Sequence, residues 1–232
     1  IVAPLLVEAD LMGHTTHGIA QAPAYLSGLQ NGLMSGTGDP ITVSDRGATI
    51  TWDGQRISGI WLTAKAIDLA VERAKKYGTA TMAIRRSGHI ACLAAFLTRA
   101  TDKGCMIELA SSDPSTVSVA PYGGTKAAFT PNPIAIGIPT NNNPILIDMS
   151  ASITTNGLTG RLFSEGKKLP GEWVQDNSGQ ASNDPARRTT AVHREQRGLS
   201  QSKAREGQGR HGQIQQETKQ GQVKDWEVYS NH

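Results

Sequence analysis

Apolar residues recur through the first 185 positions in short runs separated by Gly, Pro and Asn. Residues 2–12 have helical spacing and stop at Gly13, a residue suited to a helix C-terminus. A loop rich in glycine (Gly28, Gly32, Gly36, Gly38) follows. Residues 48–52 read as a strand ended by the turn Asp53-Gly54. In residues 60–77 the apolar positions Ile60, Leu62, Ala66, Ile67, Ala70, Val71 and Ala74 fit a period of 3.6, and Gly78 closes the predicted helix. Residues 79–84 are a short strand-like run, Ser87-Gly88-His89 a turn, 90–100 a second helix and 106–110 a further strand. That order predicts a βαβ unit whose strands, 79–84 and 106–110, run parallel. Residues 133–138 and 144–149 are two more strands, joined by 139–143 as in a hairpin. The pattern predicts an α/β fold over residues 1–185.

After Asn183-Asp184-Pro185 the pattern is lost. Residues 186–232 hold eight Gln, frequent basic residues and isolated apolar ones, with neither strand nor helix period. This tail is predicted to be disordered, and a shifted reading frame would look the same. It also changes the reading of charge. The net charge of +3 comes from nine Lys/Arg against five Asp/Glu in the tail, which leaves 14 against 15 elsewhere. The folded part therefore shows no basic surface for nucleic acid. No run of eighteen apolar residues is present, which argues against a membrane-spanning helix. The first residues lack the basic start and cleavage site of a secretory signal, and the chain does not begin with Met; a fragment is expected. Cys92 and Cys105 make neither a disulfide framework nor a zinc-ligand set. They read as small buried apolar residues in a reducing, cytoplasmic setting.

Two histidines are candidates for chemistry. His17 lies just past a helix end, between Gly13 and Gly18, where loops place functional groups. His14, three residues before it, and nearby Asp10 raise a metal reading, but glycine and two threonines disfavour a helix there, and no metal is expected. His89 falls between a predicted strand and a predicted helix, where the helix dipole would oppose its protonation. A neutral imidazole can take the hydroxyl proton as hydride leaves the adjacent carbon. Each histidine on its own favours a surface, packing or capping role over a catalytic one. Ser111-Ser112-Asp113-Pro114 and Asp148-Met149-Ser150 follow predicted strands and offer amides and hydroxyls to a ribose or phosphate, although ordinary turn chemistry also explains them. The string GQGRHG at 207–212 has the dinucleotide pattern, but no strand precedes it and no amphipathic helix follows, so it carries no weight.

Six blocks in order resemble the malate/L-lactate dehydrogenase family that lacks a Rossmann fold: ADLMGHTTHGIAQAPAYLSGLQNG from Ala9, RRSGHIA from Arg85, APYGG from Ala120, TPNPIAIGIP from Thr130, IDMSAS from Ile147, and PGEWVQDNSG from Pro170. They are spread over nearly all of residues 1–185, from Ala9 to Gly179. The family includes malate, ureidoglycolate and sulfolactate dehydrogenases, a diketogulonate reductase and a cyclic-imine reductase. The resemblance implies hydride transfer between NAD or NADP and a small 2-hydroxy or 2-keto acid, in a non-Rossmann mixed α/β homodimer with its site near the subunit interface. It implies that His17 contacts substrate and serves as proton donor, and that His89 is a proton acceptor. Gln21 and Tyr25 fall on the substrate side, and Pro114, Ser115, Asp148, Met149 and Ser150 on the cofactor side. Two departures stand out. Gln21 replaces an arginine that many members use for a substrate carboxylate, and an amide cannot replace that ion pair. After Pro185 the family's Lys-Gly-Tyr-Gly-like cofactor segment is not recognisable, and the helix that precedes residue 1 in the family is also missing. A non-catalytic remnant of such an enzyme is thus the alternative. A metal hydrolase using His14, His17 and His89 is a third reading.

Overall fold

A computed structural model describes residues 1–113, 115–176, 178–187 and 190–191. Helix α1 (Val2–Leu11) leads through a 3-10 turn at Ile19–Gln21 into α2 (Ala22–Gln30). Strands β1 (Ile41–Asp45) and β2 (Thr49–Asp53) form a hairpin, followed by α3 (Gly59–Tyr77) and β3 (Thr81–Arg85). Next come α4 (Ala94–Thr101), β4 (Ile107–Ala110), β5 (Ile134–Ile138), β6 (Ile145–Met149) and α5 (Asn156–Ser164). Short strands β7 (Val174–Gln175), β8 (Ala181–Ser182) and β9 (Thr190–Ala191) end the described part. The fold is mixed α/β, as the pattern predicts.

Among the described residues three three-stranded sheets form, in the orders β1-β2-β3, β4-β5-β6 and β8-β7-β9. Helix α3 has two apolar faces. Ile60, Ala64, Ile67 and Val71 pack with α1 (Leu5, Leu6, Ala9) and with Ala95, Phe96 and Ala100 of α4. Ala66 and Leu69 pack on Ile50, Trp52, Met82 and Ile84 of the first sheet. Helix α4 is likewise two-faced: Leu97, with Leu93 just before it, meets Ala135, Ile107, Leu109 and Leu146 of the second sheet. The layers therefore run sheet, α3, α4, sheet, with α1 against the helical middle. Burial drives this order, since each large apolar side chain withdrawn from water contributes about 1.5–3 kcal/mol.

This layering corrects the predicted βαβ unit. The parallel pair is β2 with β3, and α3 is its crossover. Strand β4 instead pairs antiparallel with β5 in the other sheet. A helix apolar on both faces is stable between two sheets, so α4 does not return the chain to the sheet it left. The predicted start of that helix also moves, from residue 90 to Ala94. The loop read from Gly28 begins inside the last turn of α2, a helix that was not predicted; it buries no residue and so carries little amphipathic signal. Strand β1 was not predicted, because its apolar residues Ile41 and Val43 stay exposed at an edge. The hairpin of β5 and β6 forms as expected, with Ile138 opposite Ile145. Beyond Pro185, Thr190–Ala191 pairs with β7. A 3-10 turn at Pro185–Arg187 precedes it, while residues 188–189 and 192–232, including the GQGRHG string, lie outside the described residues, as does Pro114. No helix among the described residues is long and apolar enough to cross a membrane.

Candidate active site

The loop after α1 is folded back by its own backbone. His14 donates its amide to the Ala9 carbonyl and His17 to that of His14, both at 2.8 Å. Asp10 pins the return by accepting the Ile19 amide at 2.9 Å. Gly18 lies so close to that carboxylate that a Cβ there would collide with it. From α5, Arg161 donates to the Thr15 hydroxyl at 3.0 Å. Gln21 donates its side-chain amide to the Thr16 carbonyl at 2.7 Å. It therefore braces the residue before His17.

His89 arrives from the other direction, on the loop that leaves β3. Gly88 donates its amide to the Ile57 carbonyl at 3.1 Å. Gly59, at the start of α3, lies against the Gly88 carbonyl, and a Cβ on it would strike that oxygen. The two loops bring the rings of His17 and His89 to 6.0 Å between centroids, tilted by 33°. Tyr25 of α2 stands 2.7 Å from His89 Nδ1 through its hydroxyl. Thr16 Oγ1 is 2.8 Å from His17 Nδ1. In each histidine a hydroxyl that can donate or accept holds Nδ1, so Nε2 is left for other chemistry.

The electrostatics favour neutral rings. Burial lowers His17 to about 4, helped by the nearby His89 and His14. His89 keeps an open edge to solvent, yet protein crowds the remainder of its ring and lowers its pKa. Burial, not the helix dipole, is the cause, because α4 begins five positions later than His89. Burial also raises Tyr25 to about 12, so its phenol stays protonated.

The group found at the start of α4 is Asp148. Its carboxylate accepts the Ala94 amide at 2.9 Å and lies 3.8 Å from Cys92 Sγ. Desolvation raises the Asp148 pKa, and His14 opposes that rise. Strands β4 and β6 both pair antiparallel with β5, so their carboxyl ends share one edge. There Ala110 and Met149 both face Ile134. Ser115 and Ser150 leave from this edge. Ser115 donates through its amide and its hydroxyl to Asp113, at 3.0 and 2.6 Å, and the Ser150 hydroxyl reaches the Ser152 carbonyl at 3.1 Å. Met149 is half-buried at the end of β6. The structure thus gathers His17, His89 and Tyr25 in one group and attaches Asp148 through the loop that carries His89. Ser115 and Ser150 occupy the adjoining sheet edge. A separate depression of about 230 Å³, lined by Asp39, Pro40, Thr42, Trp52, Trp61 and Lys65, contains none of them. Cys92 had no sequence signal beyond an apolar one, and its nearness to His14 and Asp148 comes only from the fold.

A profile of the malate/L-lactate dehydrogenase family matches residues 1–196. L-sulfolactate dehydrogenase of Methanothermobacter thermautotrophicus is 30% identical over 186 residues, covering 80% of this chain and 54% of that protein. The (2R)-3-sulfolactate dehydrogenase (NADP(+)) of Chromohalobacter salexigens is 27% identical over 186 residues, covering 80% and 55%. Among solved structures, malate dehydrogenase of Entamoeba histolytica superposes with a TM-score of 0.75 at 28% identity, over 80% of this chain and 51% of that one. The chain spans about half the length of the curated relatives it matches.

Proposed function

The chain belongs to the malate/L-lactate dehydrogenase family, and from that premise we propose that it transfers hydride between a nicotinamide, NAD or NADP, and a small 2-hydroxy or 2-keto acid. The observation that carries this reading is the pair of neutral imidazoles 6.0 Å apart, one of them held by Tyr25. Oxidation of a hydroxy acid needs a base at the hydroxyl while hydride departs. His89 is the base in this proposal. In the tautomer that donates Nδ1–H to the Tyr25 oxygen, the Ala91 amide, 3.4 Å from Nδ1, goes to the Tyr25 oxygen instead, and the Nε2 lone pair is free to take the proton. In the reverse direction Nε2–H gives the proton to the keto oxygen. The acid in that direction is the imidazolium, and Nδ1–H stays donated to the Tyr25 oxygen in both protonation states. His17 contacts the substrate from the facing loop. Gln21 acts through Thr16 and His17 and has no charge for a substrate carboxylate.

The nicotinamide itself supplies the hydride acceptor or donor. The edge shared by β4 and β6 fits such a group. Ser112 and Ser115 are exposed there, and each hydroxyl oxygen keeps acceptor capacity for ribose hydroxyls while its proton is donated internally. The exposed side chains of Val117 and Tyr122, in the loop that follows, offer apolar surface to a flat ring. Asp148, Met149 and Ser150 would hold the nicotinamide side.

The test is fluorescence titration with NADH and NADPH, followed by turnover with malate, lactate and sulfolactate. Saturable quenching and oxidation of at least one acid are expected. No saturable change with either reduced nicotinamide would sink this reading and favour the non-catalytic one. Within the same reading, residues 1–185 are the catalytic body and the complete protein is a homodimer.

A further inference from the structure

One cluster is only partly used by the proposed hydride chemistry, which calls on its Asp148 alone. His14, Cys92 and Asp148 come from the loop after α1, the loop before α4, and β6. One ligand atom from each lies within 4.8 Å of the other two. It is the one such trio of His, Cys and carboxylate groups among the described residues. We propose that these three side chains form a binding site for a borderline-soft divalent transition cation of the zinc class. The inference goes beyond the hydride-transfer reading and does not depend on it.

The donor set suits that class. Imidazole nitrogen, thiolate sulfur and carboxylate oxygen are each ordinary zinc ligands, whereas a hard cation such as magnesium would not select the sulfur. Tetrahedral coordination separates ligand atoms by roughly 3.3–3.8 Å. Sγ and the Asp148 oxygen already stand 3.8 Å apart, and no pair of the trio exceeds 4.8 Å, so loading closes any of them by at most about 1.5 Å. Without a cation the arrangement sets a desolvated thiol against a desolvated carboxylate. A cation relieves both groups at once. On binding, the Cys92 S–H bond breaks, a sulfur–metal bond forms and the proton leaves to solvent; no electron is transferred. Cys92 is buried, while His14 and Asp148 are only half-buried. The ion would therefore have protein on its inner side and a position open to water on its outer side.

Cobalt(II) added to the full chain is the probe. One equivalent should bind with a near-ultraviolet sulfur-to-cobalt band, which zinc then abolishes. The chain has two cysteines, so the band reports sulfur directly, and tail histidines cannot produce it. Cys92→Ser should remove the band and Cys105→Ser should keep it. His14→Ala should weaken cobalt binding by at least about tenfold. Saturation without the band, loss of the band in Cys105→Ser, or unchanged affinity in His14→Ala overturns the site. Should Cys92→Ser fail to fold, X-ray absorption of the zinc-loaded natural chain decides the matter. One sulfur with nitrogen and oxygen neighbours is expected, and a shell without sulfur overturns the proposal. None of these readouts uses a nicotinamide.

Discussion

At the scale of single residues, the proposed chemistry depends on keeping two imidazoles neutral. His89→Ala should lower turnover by about 10²–10⁴, the usual worth of a general base, with KM little changed. Tyr25→Phe removes one hydrogen bond that orients the ring, so a loss of roughly tenfold is expected, with tighter control of kcat than of KM. Burial holds His89 below the ordinary imidazole value. The acid limb of kcat/KM for oxidation should therefore lie below pH 6.5, and should vanish in His89→Gln. His17 makes a separate claim on stability. Its folded pKa, about 4, is below the unfolded 6.5. The unfolded chain thus binds the proton first as pH falls. Stability is full above about 6.5 and declines toward pH 4, by roughly 1–3 kcal/mol after allowance for partial exposure. Thermal unfolding followed from pH 7 to 4 should show this loss, and His17→Gln should reduce it. The sequence marked both histidines and Tyr25 as candidates. It could not reveal that hydroxyls of Thr16 and Tyr25 hold the two Nδ1 atoms, because Tyr25 and His89 stand 64 positions apart.

At the scale of elements, loop attachments decide where the histidines go. The close approach of Gly59 to the Gly88 carbonyl makes Gly59→Ala a test of that attachment. A Cβ must displace the loop that carries His89. Urea unfolding should show a cost of roughly 1–3 kcal/mol, and turnover should fall further than this loss of stability explains. Helix α5 has a plain capping device, since Thr155 accepts the Leu158 amide at 3.0 Å. Thr155→Ala should cost about 1 kcal/mol in the same assay, with little effect on turnover. The sequence predicted α1, α3 and the hairpin of β5 and β6 well, because local periodicity and Gly13 or Gly78 mark their limits. It misplaced the start of α4. Apolar residues continue from Ile90, but Asp148, 54 positions from Ala94 along the chain, accepts the first useful amide of the helix. A cap supplied across such a distance has no local signature.

At the scale of the whole molecule, the sheet–helix–helix–sheet order brings the His17 loop, the His89 loop and the edge of β4 and β6 together. Phe96 is fully buried where α4 meets α1 and α3. Phe96→Ala should cost about 3–5 kcal/mol in chemical unfolding. Its effect on nicotinamide titration should follow that loss. The sequence by itself determined the α/β class, the main helices, the two histidines and, through six ordered blocks, the family. These follow from periodicity, turn residues and short motifs, all of which are local. Only the tertiary structure decided that β3 and β4 belong to different sheets, that Asp148 caps α4, and that Cys92 faces His14 and Asp148. Those outcomes depend on which apolar face meets which neighbour. Helix α4 buries both of its faces, and a pattern read along one chain does not say which sheet lies on either side.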